Sequence, residues 1–133
     1  MSDSLGLSIG TTNLVAARVG GAPVTHRSVL TLFGHRAAEA GVPDDNPNLD
    51  EPGLVLRGFV ERVGDPAPLV ADDGSTHRGD ALLVEALDAM ARTVGYGAPV
   101  AIAVPAHWTQ GVVATLREAL RAKRALAPDA LSP

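Results

Sequence analysis

The chain has 133 residues, 46% hydrophobic and 20% charged, which is a globular composition with enough length to bury a real core. Eleven basic against fifteen acidic residues give a formal charge of −4, the reverse of a nucleic-acid-binding footprint. The lack of cysteine excludes thiol catalysis, disulfides and cysteine-ligated zinc.

Leu5 to Ile9 reads Leu-Gly-Leu-Ser-Ile, with apolar side chains on alternate positions, and predicts a strand with one buried face. Gly10-Thr11-Thr12-Asn13 follows as a turn, bounded by Gly and Asn, the residues that best tolerate positive φ. Leu14 to Val19 predicts a second strand, closed by Gly20-Gly21, and Arg27 to Phe33 a third with weaker phasing. Three short strands joined by tight turns imply an antiparallel meander. From Gly34 to Gly79 the pattern degrades into an irregular insertion. Within it, Gly41 to Gly53 is rich in Pro, Gly, Asp and Asn and reads as an exposed loop. Leu54 to Val63 holds a short strand or helical turn around Phe59. Pro68 to Ala71, before Asp72-Asp73-Gly74-Ser75, reads as a strand entering a hairpin.

Asp80 is positioned to cap a helix over 81–94, with Gly95 as its stop. Leu83, Leu87, Met90 and Val94 form its apolar stripe. Val100 to Val104 has no polar side chain on either face and predicts a parallel strand buried on both sides. Thr109 can cap a last helix that turns Val112, Val113, Leu116 and Leu120 inward and ends at Pro128. Arg117, Arg121, Lys123 and Arg124 lie near its C-terminal end, where the dipole favours cations. The order is strand, strand, strand, insertion, helix, strand, helix: an α/β fold with a mixed sheet.

Neither the phosphate-loop signature nor a Gly-x-Gly-x-x-Gly run occurs. His26, His35, His77 and His107 lack metal-type spacing, so no metal site is expected. Asp44-Asp45 and Asp72-Asp73 read as solvated turn residues. The Gly10–Asn13 turn differs from these: successive backbone N–H groups and two hydroxyls around one point can hold phosphate oxygens without a lysine. No basic region precedes an apolar stretch at the N-terminus, and no stretch reaches the ~20 apolar residues of a membrane span, so a cytoplasmic chain is expected.

Two distant segments carry a resemblance. Leu5-Gly-Leu-Ser-Ile-Gly-Thr-Thr-Asn-Leu-Val-Ala-Ala-Arg-Val19 resembles the first phosphate motif of the 70-kDa heat-shock chaperone ATPases, in the actin and sugar-kinase superfamily. Val100-Ala-Ile-Ala-Val-Pro-Ala-His-Trp108 is similar to their connecting segment, and the helix between the two motifs matches the family order. The resemblance implies that residues 1–133 form a ribonuclease-H-like lobe, the N-terminal half of a two-lobed nucleotide-binding domain with a reduced insertion at 34–79. It implies ATP and Mg²⁺ as ligands, with Gly10, Thr11, Thr12 and Asn13 at the phosphates, Thr11 toward the γ-phosphate, and Pro105 in the interlobe connection. The second phosphate motif, the adenosine motif and the strand after the last helix are expected beyond this chain. Abundant alanine and arginine with scarce lysine suit a GC-rich, actinobacterial member.

The departures bear on chemistry. The family's metal-orienting aspartate falls at Ser8, and a neutral hydroxyl supplies no charge. Its catalytic lysine has no counterpart, because the sole lysine is Lys123; Glu61 takes that place, with Arg57 and Arg62 as nearby cations. The arginine that partners the family proline is Val113 here. The expected function is the phosphate-binding fragment of a chaperone-like ATPase that does not hydrolyse ATP by itself; the alternative is a pseudo-ATPase module for protein contacts or scaffolding. A missing final strand would leave a sheet edge or helix face uncovered, so self-association through that surface is expected.

Overall fold

The computed structural model describes residues 4–33, 38–41, 54–71, 73–97, 100–121, 123 and 130–132. Leu5–Ile9 (β1) and Asn13–Arg18 (β2) pair antiparallel from Leu5↔Arg18 to Ile9↔Leu14, and Val24–Arg27 (β3) adds to β2. The meander forms, but its third strand, Val24–Arg27, precedes the segment Arg27 to Phe33 expected for it. Val29–Leu32 (β4) belongs to a second sheet, between Glu39–Ala40 (β5) and Leu54–Arg57 (β6). The segment expected as the third strand is thus β4 of the other sheet, with only Arg27 left in β3. Val29, Leu30 and Thr31 are buried in succession because the chain passes from one sheet to the other there, which explains the weak phasing.

The insertion is more regular than expected. Beyond β5 and β6 its described residues hold the 3₁₀ turn Val60–Arg62 and the hairpin of Leu69–Val70 (β7) with Thr76–His77 (β8). Phe59 is fully buried beside the 3₁₀ turn. The Pro-rich loop expected beyond Gly41, like His35 and Asp44-Asp45, lies outside the described residues.

Val100–Ala103 (β9) returns to the main sheet parallel to β1, with Leu5↔Val100 and Ser8↔Ala103 in register. A parallel return needs a crossover, and the helix Gly79–Thr93 (α1) lies within it. Two expectations change at β9. The strand is central, but only Val100 and Ile102 are buried, while Ala101 and Ala103 face outward. Among the described residues nothing covers that outer face, where Gly6, Ser8, Ala101 and Ala103 floor a shallow concavity of about 320 Å³. In addition, Ala130–Ser132 (β10) pairs parallel to β9 and gives the order β10-β9-β1-β2-β3. The strand expected beyond the chain is within it, so self-association loses the premise of a missing strand.

Helix α1 packs on β1 and β2 on one side and on β4, β5 and the 3₁₀ turn on another. That two-sided packing buries Leu82, Val84, Ala86, Ala89 and Ala91 in addition to the predicted Leu83, Leu87 and Met90. The predicted cap is corrected. Arg78 occupies the N-cap position with no side-chain capping bond, and Asp80 sits in the first turn. There its carboxylate accepts from Ala81 N–H at 3.0 Å and from Arg78 Nε at 3.1 Å, favourably placed at the positive end of the helix dipole. At the other end Gly95 N–H donates to the Arg92 carbonyl and Tyr96 N–H to the Ala91 carbonyl, a Schellman closure with φ of 85° at Gly95. Arg18 Nη1 donates to the Val94 carbonyl at 3.2 Å, placing a cation at this negative end.

The second helix, Gln110–Leu120 (α2), starts as predicted: Thr109 Oγ1 accepts from Val112 N–H at 3.3 Å. Leu116 and Leu120 are fully buried, and Lys123 Nζ meets Glu85 of α1 at 3.2 Å.

Gly79 sets a test of this packing. A Cβ there would lie 2.6 Å from Arg62 Cβ and 2.8 Å from its backbone carbon. Alanine is the better helix former by up to about 1 kcal/mol, but the clash is with backbone that cannot step aside. Gly79→Ala therefore lowers stability by about 1–3 kcal/mol, read as a lower urea midpoint at unchanged slope. A second test is alkaline. Partial burial, and then the hydrogen bond to Asp88 at 2.9 Å, raise the Tyr96 hydroxyl above its ordinary pKa near 10. The resulting stability is present below pH 10 and is lost as pH rises through the folded-state value. Tyr96→Phe removes that alkaline loss, as measured by urea unfolding across the pH series.

Candidate functional site

The sheet's parallel centre gathers the candidate residues. Because Ser8 pairs with Ala103, Gly10 and Pro105 both follow the C-terminal ends of adjacent parallel strands. Ligands of open α/β sheets bind outside those ends. The structure thus brings the turn and the connecting segment to one end of the sheet. Pro105 is partly buried there, and its carbonyl accepts from Trp108 N–H at 3.1 Å. Val113 is held within α2, its N–H donating to the Thr109 carbonyl at 3.1 Å.

The turn is not an ordinary two-residue hairpin. Gly10 N–H donates to the Asn13 carbonyl at 3.0 Å, but no bond returns from Asn13 N–H to the Gly10 carbonyl. That carbonyl instead accepts from Ser28 Oγ at 2.7 Å, and Ser28 N–H donates to the Thr12 carbonyl at 2.8 Å. Among the described residues the N–H groups of Thr11 and Thr12 make no hydrogen bond, and both threonine side chains and Asn13 are exposed. Ser28 itself is buried at 6% exposure, so its clamp is shielded from water. The reason for glycine at position 10 is also corrected. Its φ is not positive; a Cβ there would lie 2.9 Å from the Asn13 carbonyl oxygen, so close approach requires it.

These groups suit a phosphate. Two unengaged amides, two hydroxyls and the Asn13 side chain offer donors around one end of the sheet, with no carboxylate in the turn to repel an anion. They do not suit a divalent cation held by this chain. Ser8, on the outer face of β1 between Val15 and Ala103, is neutral, and Mg²⁺ is ordinarily held through carboxylates. No group of three or more His, Cys, Asp or Glu side chains forms a metal cluster among the described residues. Arg62 Nη1 lies 3.9 Å from Asp65 Oδ2.

The remaining polar candidates are structural. In the β7–β8 hairpin Ser75 Oγ donates to Asp73 and lies 2.8 Å from His77 Nε2. The carboxylate is on the serine and not behind the imidazole, so the arrangement lacks the order of a nucleophilic triad. The serine hydroxyl bond, then its backbone N–H, hold the Asp73 carboxyl below the usual range. His26 packs beneath Gly41.

Sequence reasoning missed Ser28. Its only mark in the sequence is a polar residue just before the mostly apolar run 29–33; its role depends on a contact 18 residues away.

No protein-family model and no curated protein matches the sequence. The fold does have counterparts among solved structures. A structure of MamK, a non-polymerising A278D mutant bound to AMPPNP, superposes with a TM-score of 0.65 at 15% identity, covering 98% of this chain. The chain spans 40% of that protein's length.

Gly10→Ala tests the close approach at the turn. The added Cβ forces the Gly10–Asn13 backbone apart and costs about 1–3 kcal/mol, detectable by urea unfolding together with shifted backbone amide resonances at Thr11 to Asn13.

Proposed function

We propose that this chain is the phosphate-binding lobe of a divergent, chaperone-like ATPase and that the Gly10–Asn13 turn receives a nucleotide's phosphates. The observation that carries this reading is the open turn. The Thr11 and Thr12 amides make no hydrogen bond, and Ser28 holds the Gly10 carbonyl that the Asn13 amide would otherwise take, at the C-terminal end of the central strands. The likeness to an AMPPNP-bound protein of actin-like fold supports the nucleotide, and the Gly-Thr-Thr-Asn and Val-Pro-Ala-His-Trp segments support the heat-shock-chaperone branch. Thr11 and Thr12 bind and orient the phosphate, and Asn13 adds a side-chain donor. The residues give no support to hydrolysis by this chain alone. They place no general base and no cation in the turn, and catalysis of phosphoryl transfer rests on such preorganised charge. No described helix is long and apolar enough to cross a membrane, which is compatible with a cytoplasmic setting.

A second reading is favoured by the neutral donor set itself. Ser8, and a single lysine far along the chain, suit a lobe that has kept the fold for protein contacts while giving up turnover.

Titration of the ¹⁵N-labelled chain with Mg-ATP separates the two. Saturable amide shifts centred on Thr11 and Thr12, without phosphate release, are expected. Absence of those shifts at millimolar nucleotide would transfer support to the second reading, and phosphate release above background would overturn the non-hydrolysing assignment.

A further inference from the structure

We infer that Ser28 is the positioning residue of the phosphate turn: its hydroxyl replaces the hairpin's own closing hydrogen bond and so keeps the turn open for an anion. The inference rests on the phosphate-binding reading for its consequence, but its geometry stands independently.

A two-residue hairpin between β1 and β2 would close with two bonds, Gly10 N–H to the Asn13 carbonyl and Asn13 N–H to the Gly10 carbonyl. Only the first is made, at 3.0 Å. The Gly10 carbonyl is instead drawn toward Ser28 Oγ at 2.7 Å. A planar trans peptide points its N–H opposite to its C=O, so fixing the Gly10 carbonyl toward Ser28 turns the Thr11 N–H away from it. The same reasoning applies one unit later. Ser28 N–H holds the Thr12 carbonyl at 2.8 Å and thereby turns the Asn13 N–H to the opposite side. One buried residue therefore orients two amides of the turn through their partner carbonyls.

Ser28 can do this because it lies at the crossing between sheets, directly after β3 and before β4. Its backbone continues the β2–β3 register by one step beyond Asn13↔Arg27, which brings it opposite Thr12. Its burial removes water as a competitor for the two carbonyls, so the bonds keep their strength. Ser28 touches no ligand in this scheme; it acts through the backbone of Gly10 and Thr12.

Amide hydrogen exchange and Mg-ATP titration on the full chain test this with Ser28→Ala and Ser28→Thr. In the wild type the Asn13 amide exchanges without protection. In Ser28→Ala the Gly10 carbonyl is released to it, and protection at Asn13 rises by about tenfold while Mg-ATP affinity falls by about tenfold, the scale of one lost hydrogen bond. Ser28→Thr keeps the hydroxyl and restores both. A protected Asn13 amide in the wild type overturns the inference, even if Ser28→Ala does not fold. So does unchanged Asn13 exchange, or unchanged affinity, in a folded Ser28→Ala. If the wild type itself fails to bind Mg-ATP, the phosphate reading falls, and the exchange comparison alone decides whether Ser28 opens the turn.

Discussion

Helix α1 must bury apolar side chains around most of its circumference, and that constraint organises the rest of the chain. Leu83, Leu87, Met90 and their neighbours at Leu82, Val84 and Ala86 cannot all be satisfied by one flat sheet. A full Leu side chain is worth about 2 kcal/mol in removal from water, so several such groups left exposed would cost more than a domain's net stability. The solution is a sheet on each side: β1 and β2 on one, β4 and β5 on the other, with the 3₁₀ turn and α2 closing the remainder. Gly79 follows from the same demand, because the helix must start against the Arg62 backbone.

Placing α1 between two sheets forces the chain to change sheets after β3. The crossing is where Ser28 sits, and the crossing places it behind the β1–β2 turn. The packing of the core and the shape of the candidate site are thus linked through one short segment. The site draws on backbone dipoles and hydroxyls instead of charged side chains. Such donors are fixed by the fold and need little reorganisation when an anion arrives. The turn itself carries no carboxylate with which to retain a divalent cation.

Much of the architecture was legible in the sequence. The alternation of Leu5, Leu7 and Ile9, the stripe of α1, the Thr109 cap and the Gly95 stop are local signals, each set by side-chain period or backbone freedom, and each is found in place. The errors share a different cause. Asp80 was displaced from the cap by a helix that starts two residues earlier, against Arg62. The placement of Val29–Leu32 in a second sheet, the pairing of Ala130–Ser132 and the exposure of Ala101 and Ala103 depend on which segments meet.

Gly-Thr-Thr-Asn between two alternating strands was enough, by itself, to mark a turn rich in amide and hydroxyl donors, because that potential resides in the residues. Whether those donors are free was decided only by the tertiary structure. A hairpin of this sequence could close on itself. It stays open because Ser28, 18 residues beyond Gly10, is carried behind it by the change of sheets and takes the Gly10 carbonyl at 2.7 Å. Residue type sets which hydrogen bonds can form; long-range packing sets which partner arrives, and so which N–H groups are left facing outward.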